Sequence, residues 1–299
     1  MGAFVSPTPA EILALEPEAA DELLEELERN VPVQPSLLPL RGAEEAFVFG
    51  DSHGDWRSTQ ELVTRWLTLD PPALLVGLGD YVDRHPDDCP NGSVANALYL
   101  LSLAARFPQR VVLIQGNHET ARRLPVLPRS LPEEIDDLWG PRDDRYERLV
   151  GLLERGPVAA TTESGVYLAH AGFPRERPPG RWAGAFERPD DDALADIVWA
   201  ECDASRNRRG AAPAWGRADL DRFRQDSGLG VFLRGHDPDV VGRPLYDDRC
   251  LTLHTTRIYE RYGGVIAARV PLGSRIDSVR SLSVEHLPSE GRSYRSAVD

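Results

Sequence analysis

Five short fragments of this sequence carry side chains able to grip a cation. The first is Val48-Phe-Gly-Asp-Ser-His-Gly-Asp55, an apolar strand running straight into Asp51 and His53. Residues at i and i+2 of an extended segment project to the same side, so this carboxylate and this imidazole can share one ion. Gly50 and Gly54 let the backbone bend tightly around it. Alone, the stretch equally describes a turn holding an aspartate and a hydrogen-bonded histidine. Four more fragments set it apart: Gly79-Asp80-Tyr-Val-Asp-Arg84, Gly116-Asn117-His118-Glu119, His170-Ala-Gly172 and Arg234-Gly-His236. Each follows a β-branched or leucine-rich run, and each supplies Asp, Asn or His.

Carboxylate, amide oxygen and imidazole suit hard and borderline cations, whereas soft sites want thiolate. Asp51, His53, Asp80, Asn117, His170 and His236 make a set of six such donors. That is too many for one catalytic ion that must also hold water and substrate, but it suits two ions sharing a bridging carboxylate. Two ions about 3.5–4 Å apart can clamp the attacking and leaving oxygens of an in-line displacement at phosphorus, and they yield hydroxide at neutral pH.

The elements that position these fragments alternate strand and helix. Residues 46–49, 73–78 and 111–115 read as strands, with helices over 58–67 and 94–105 between them. Ser58-Thr-Gln-Glu61 offers a capping box for the first of these helices. Such a βαβαβ order implies parallel neighbours with their loops at one end, where ligand sites of such sheets lie. Tyr146, Leu149, Val150 and Leu153 recur at helical spacing. Beyond Gly156-Pro157 come short strands at 158–161, 166–169, 231–233, 251–254 and 265–270, expected to form an antiparallel or mixed second sheet. Residues 174–190 and 203–214 read as Pro-, Gly- and Arg-rich loops. Residues 1–40 read as a helical, proline-rich arm and brace, 41–275 as one catalytic domain, and 276–299 as a tail.

Composition removes whole classes of function. All 34 basic residues are Arg, so chemistry that needs a lysine, such as a P-loop cradle or a Schiff base, is excluded. The net charge of −14 argues against nucleic acid or an anionic membrane as a partner. An anionic substrate must therefore be drawn in by local cations. No apolar run approaches the roughly 18 residues of a membrane helix, and Met1-Gly-Ala-Phe-Val-Ser6 matches the myristoylation pattern only by chance. The N-terminus has no basic segment followed by an apolar one, so no secretory signal is expected. Cys89, Cys202 and Cys250 are scattered and odd in number, which points to a reducing, cytoplasmic setting with neither disulfide frame nor thiolate zinc site.

In order and approximate spacing, the five fragments resemble those of the phosphoprotein phosphatases, the serine/threonine phosphatases among the calcineurin-like metallophosphoesterases. The resemblance runs from about Phe47 to Tyr259. It implies an α/β fold, a four-layer αββα sandwich with two mixed β-sheets, and a metal-dependent phosphomonoester hydrolase acting on phosphoproteins. By matching position, Asp51 and His53 bind a first metal, Asp80 bridges, and Asn117, His170 and His236 hold the second. His118 is then the general acid, oriented by Asp83, while Arg84 and Asn117 grip the phosphoryl oxygens and Tyr259 overhangs the site. Two divalent ions are implied, with manganese the expected metal and iron or zinc chemically acceptable. A distal arginine completes the clamp, chosen among Arg206, Arg208, Arg209 and Arg217. Arg217 follows a Trp-Gly as the family's arginine does, but counting back from His236 selects Arg209-Gly210 followed by Trp215-Gly216.

Two departures bear on substrate. Trp199-Ala-Glu-Cys-Asp203 stands where eukaryotic members have Trp-Ser-Asp-Pro, and His254-Thr-Thr-Arg-Ile-Tyr259 replaces Ser-Ala-Pro-Asn-Tyr. These positions line the family's substrate groove. They keep open a dinucleoside-tetraphosphate hydrolase or another small-molecule phosphoesterase, and, from a different class, a non-catalytic phospho-binding module. His85, His254 and His286 are read as non-catalytic, and Glu119 as a support for its own loop.

Overall fold

The computed structural model describes residues 6–175, 182–206 and 209–287. The Gly2 motif, Arg208 and residues 288–299 lie outside these. The chain opens with α1 (Pro9–Leu13), capped reciprocally by Thr8 and Glu11, and α2 (Pro17–Asn30). There follow β1 (Leu37–Leu40), β2 (Glu45–Phe49), α3 (Trp56–Leu67), β3 (Leu74–Gly77), α4 (Gly92–Arg106) and β4 (Val111–Leu113). Next come α5 (Leu131–Trp139), α6 (Asp143–Leu153), β5 (Ala159–Thr162), β6 (Val166–Ala169), α7 (Asp191–Val198) and α8 (Arg217–Ser227). Strands β7 (Val231–Arg234), β8 (Cys250–Thr252), β9 (Ile266–Pro271) and β10 (Ser283–His286) close the described chain, apart from short helical turns.

The period-two burial of the strands dictates the layers. In β2, Ala46 and Val48 face one apolar cluster while Phe47 and Phe49 face another. In β6, Val166 and Leu168 join that first cluster, and Tyr167 and Ala169 point to a third. Because alternate side chains leave a strand on opposite faces, both faces of both sheets are apolar and must be covered. The cluster shared by Val48, Val76, Leu168 and Leu233 is the seam between the sheets. Helices α1–α6 cover the outer face of one sheet, and α7 and α8 that of the other. The result is the four-layer αββα sandwich with two mixed sheets.

One sheet has the order β10-β9-β2-β3-β4 and the other β1-β5-β6-β7-β8. Strands β2, β3 and β4 pair in parallel, their crossovers supplied by α3 and α4. Strands β6, β7 and β8 are also parallel. The carboxyl ends of these six strands meet at one rim.

Three local expectations are corrected. The 265–270 strand does not belong to the second sheet: β9 pairs antiparallel with β2, Phe47 opposite Arg269. Helix α3 is not opened by a Ser58 capping box but by Asp55, whose carboxylate accepts the Ser58 N–H at 3.3 Å. The expected tail begins as ordered structure, since β10 adds an edge to the first sheet through Ala268 and Ile266.

Candidate metal centre

Each donor sits past the end of a strand, and three of the six, with Asp83 beside them, stand on left-handed backbone. His53, Asp80, Asp83 and His236 have φ of 39°, 57°, 68° and 71°. Left-handed backbone at non-glycine residues is costly and collects at functional sites, held there by the surrounding structure. Here the restraints are visible. Ser52 and His53 N–H groups donate to the Asp80 carbonyl at 3.1 and 2.9 Å, locking the first loop on the second. Gly79 (φ 99°) lies so near the third loop that a Cβ would fall 2.5 Å from the Gly116 nitrogen. The buried Glu119 carboxylate accepts N–H bonds from Asp80, Tyr81 and Gly116 at 2.7, 2.8 and 2.8 Å. Burial, then the neighbouring Asp80, push its carboxyl up to about 7 against those three donors.

That staple yields a stability test. Glu119→Ala strands three buried N–H groups, each costing about 1–3 kcal/mol when unsatisfied. We expect an unfolding free energy lower by about 3 kcal/mol or more, read by denaturant titration. A loss below about 1 kcal/mol would show that the loops hold without it.

Around Asp80 the donors converge. His53 Nδ1–H donates to the Val82 carbonyl at 2.9 Å, which turns the Nε2 lone pair inward, 3.8 Å from Asp51 Oδ2 and 3.6 Å from Asp80 Oδ2. His170 Nδ1–H donates to the Leu78 carbonyl at 2.8 Å, so its Nε2 also faces in. That nitrogen lies 2.9 Å from Asn117 Oδ1, 3.1 Å from His236 Nδ1 and 3.3 Å from Asp80 Oδ1. Asp51 Oδ1 accepts the His236 N–H at 2.8 Å. All six donors are buried. Two overlapping sets, His53-Asp80-His118 and Asp80-His170-His236, have ligand atoms within 4.8 Å of one another. Asp80 is common to both.

The electrostatics call for positive charge at the middle. Burial alone would raise the Asp80 pKa, yet His170, His118 and His53 hold it well below the carboxylate range. Burial opposes a charged His170, but Asp80 outweighs it and the imidazole is raised to about 9. Burial first, then Arg209, keep His236 far below its ordinary value, and burial does the same to His53. The Asn117 amide nitrogen and His236 Nε2 are buried with no hydrogen-bond partner. Lone pairs crowded this closely need a cation or protons between them, and the oxygen and imidazole donor set suits divalent metal.

The remaining candidates rim this cluster. His118 Nδ1 is 2.8 Å from Asp83 Oδ2, whose other oxygen accepts the Leu131 N–H at 2.9 Å; the opposite ring nitrogen lies 3.9 Å from Asp80. Arg84 Nη1 donates to the Tyr259 hydroxyl and lies 3.4 Å from His53 Nε2. At the other flank Arg209 donates from Nη2 to the His236 carbonyl at 3.1 Å and from Nε to buried Glu201 at 2.8 Å. Arg217 begins α8 and pairs with exposed Asp247. Arg206 is exposed and engages Asp239 through its backbone N–H at 3.2 Å.

One contact was not foreseen in the sequence, and one histidine read there as non-catalytic lies against the cluster. Arg257 forms a forked pair with buried Asp55, Nη2 to Oδ1 at 2.7 Å and Nε to Oδ2 at 3.0 Å, pinning the Tyr259 segment to the start of α3. His254 sits against Asp51, Nε2 to Oδ2 at 3.3 Å, and is fully buried. It lies just past a strand end, a position it shares with the six candidate donors.

Comparison with known proteins agrees with this geometry. The chain is 28% identical over 276 residues to the serine/threonine-protein phosphatase PP2A-like PPG1 of Candida albicans, covering 88% of this chain and 64% of that protein. It is 26% identical over 240 residues to a protein phosphatase 2A catalytic subunit of Dictyostelium discoideum, covering 77% and 74%. It therefore spans less than two thirds of the Candida protein's length. In fold it resembles a protein serine/threonine phosphatase from Saccharomyces cerevisiae with similarity to human phosphatase PP5, with a TM-score of 0.69 over 95% of this chain and 91% of that one, at 18% identity. The model of the calcineurin-like phosphoesterase family matches residues 46–240, more than half the chain. The chain belongs to that family.

Proposed function

We propose that the protein is a phosphomonoesterase acting on phosphoserine and phosphothreonine in proteins. The observation that carries this reading is the convergence, at the carboxyl ends of strands from both sheets, of His53, His170 and His236 on Asp80, with Asp51 against His53 and Asn117 against His170, beside the His118–Asp83 pair. Asp51, His53 and Asp80 hold one divalent ion, and Asp80, Asn117, His170 and His236 hold the other. Manganese is the ion we assign, with iron and zinc the alternatives the donors accept. When bound, such a pair polarises the phosphoryl group and makes a water acidic enough to attack at neutral pH.

The chain's own residues do the rest. Arg84 and Arg209 flank the cluster and grip the phosphoryl oxygens, joined by the unpartnered Asn117 amide nitrogen. Tyr259 holds the Arg84 guanidinium in place from above. Asp83 fixes the His118 ring, whose Nε2 proton passes to the departing alkoxide. We assign catalysis to residues 41–275 and a bracing role to the arm, whose Ile12, Ala20, Leu24 and Leu27 are buried in the core outside the first sheet. The three cysteines are buried and unpaired, which supports a cytoplasmic setting.

The test is phosphate release from phosphothreonine and phosphoserine peptides with manganese, and after chelation, beside diadenosine tetraphosphate. Peptide turnover that disappears with chelator is expected. Preference for the dinucleotide would overturn the substrate class, and binding of phosphopeptides without turnover would overturn the enzymatic reading.

The clamp gives a second prediction. Arg209→Ala is expected to lower kcat/KM by roughly 10²–10³, as removal of one preorganised charge donor does. Arg217→Ala should change it by well under tenfold, since its partner is exposed Asp247. Both should keep their full metal content. The reverse ranking would move the clamp to the start of α8.

A further inference from the structure

We infer that His254 is a fourth protein ligand to the ion held by Asp51, His53 and Asp80. The inference deepens the ligand assignment proposed above and rests on it.

His254 is placed by backbone contacts that leave little freedom. It forms a parallel bridge with Asp51, beyond the ends of β8 and β2. The Thr255 N–H donates to the Asp51 carbonyl at 2.9 Å, and the Ile266 N–H to the His254 carbonyl at 2.8 Å. The two chains approach so closely that a Cβ on Gly50 would lie 1.7 Å from the Leu253 carbonyl oxygen. The Tyr259 ring closes the far side at 5.3 Å between centroids.

The side chain so placed is fully buried, and neither ring nitrogen has a hydrogen-bond partner. Leaving a buried polar group unsatisfied costs about 1–3 kcal/mol. The nearest acceptor, Asp51 Oδ2, lies 3.3 Å from Nε2, yet the ring does not direct an N–H at it. That combination suits two ligands of one ion. Donor atoms about 2.0–2.2 Å from a shared cation sit roughly 3.0–3.5 Å apart, each with its lone pair turned off the line joining them. Asp51 Oδ2 also lies 3.8 Å from His53 Nε2, so this one oxygen faces both imidazoles. With His254 each ion has two imidazoles among its protein ligands: His53 and His254 at the first, His170 and His236 at the second.

X-ray absorption of the full chain loaded with zinc alone counts the imidazoles directly. We expect two ions and four imidazoles per chain, and one imidazole fewer in His254→Phe, which keeps the ring volume without its nitrogens. Zinc affinity at the site of Asp51, His53 and Asp80 should fall at least 10-fold in that variant, while the site of His170 and His236 still fills. Two ions with three imidazoles in the wild-type protein would overturn the role of His254 alone, as would a weakened site with an unchanged count. Failure to bind two ions would remove the whole proposed centre and this inference with it. The wild-type count decides the matter even if the variant does not fold.

Discussion

Asp80→Asn is expected to leave a folded protein that holds neither ion firmly and turns over more slowly by roughly 10³-fold or more. The reason is the central place of this carboxylate. One oxygen is 3.6 Å from His53 Nε2 and the other 3.3 Å from His170 Nε2, so Asp80 serves both donor sets. An amide of the same shape keeps one oxygen for the His118 N–H, bonded at 3.1 Å. It loses the charge and turns an NH₂ group toward an imidazole lone pair. Metal chemistry of this kind supplies several kcal/mol of transition-state stabilisation, and each 1.36 kcal/mol is a factor of ten. Metal content and kcat, measured on the same sample, check the result. Two ions per chain with normal turnover would remove Asp80 from the bridge.

His118→Asn separates acid catalysis from metal binding. Here both ions should remain, because the donors proposed for them are untouched. Turnover of alkyl phosphates should fall by about 10²–10⁴, the usual worth of a positioned general acid. A leaving group that needs no proton, such as para-nitrophenolate, should lose much less. His118 Nδ1 lies 2.8 Å from Asp83 Oδ2, so its ring presents the opposite nitrogen to the centre. Equal losses for aryl and alkyl esters would show that the ring orders the loop without giving up a proton.

The candidate donors were legible because each is announced locally. A short apolar strand, a glycine and an Asp, Asn or His form a signal within eight residues, and the structure brings all six to one rim. A second sheet was legible from strand spacing for a similar reason, while the four-layer sandwich was what the resemblance implied. What stayed hidden depends on pairings between residues far apart in sequence. Strand β9 joins the first sheet because β2 offers it an antiparallel edge across more than two hundred residues, which no local pattern encodes. His254 carries no flanking glycine, and its nearness to Asp51 follows from the close passage of Gly50 by Leu253. Arg257 was invisible as a partner of Asp55 for the same reason: a buried fork needs both ends in view. Arg209 was chosen over Arg217 by register alone, and the geometry places its guanidinium on the His236 carbonyl.

The proposed phosphatase activity depends on two ions held by this donor cluster. The direct measurement is titration of metal-free protein with manganese while phosphate release from a phosphothreonine peptide is followed. Turnover should stay near background through the first equivalent and rise as the second binds, then vanish with chelator. Full turnover in protein that holds less than one ion per chain would contradict it.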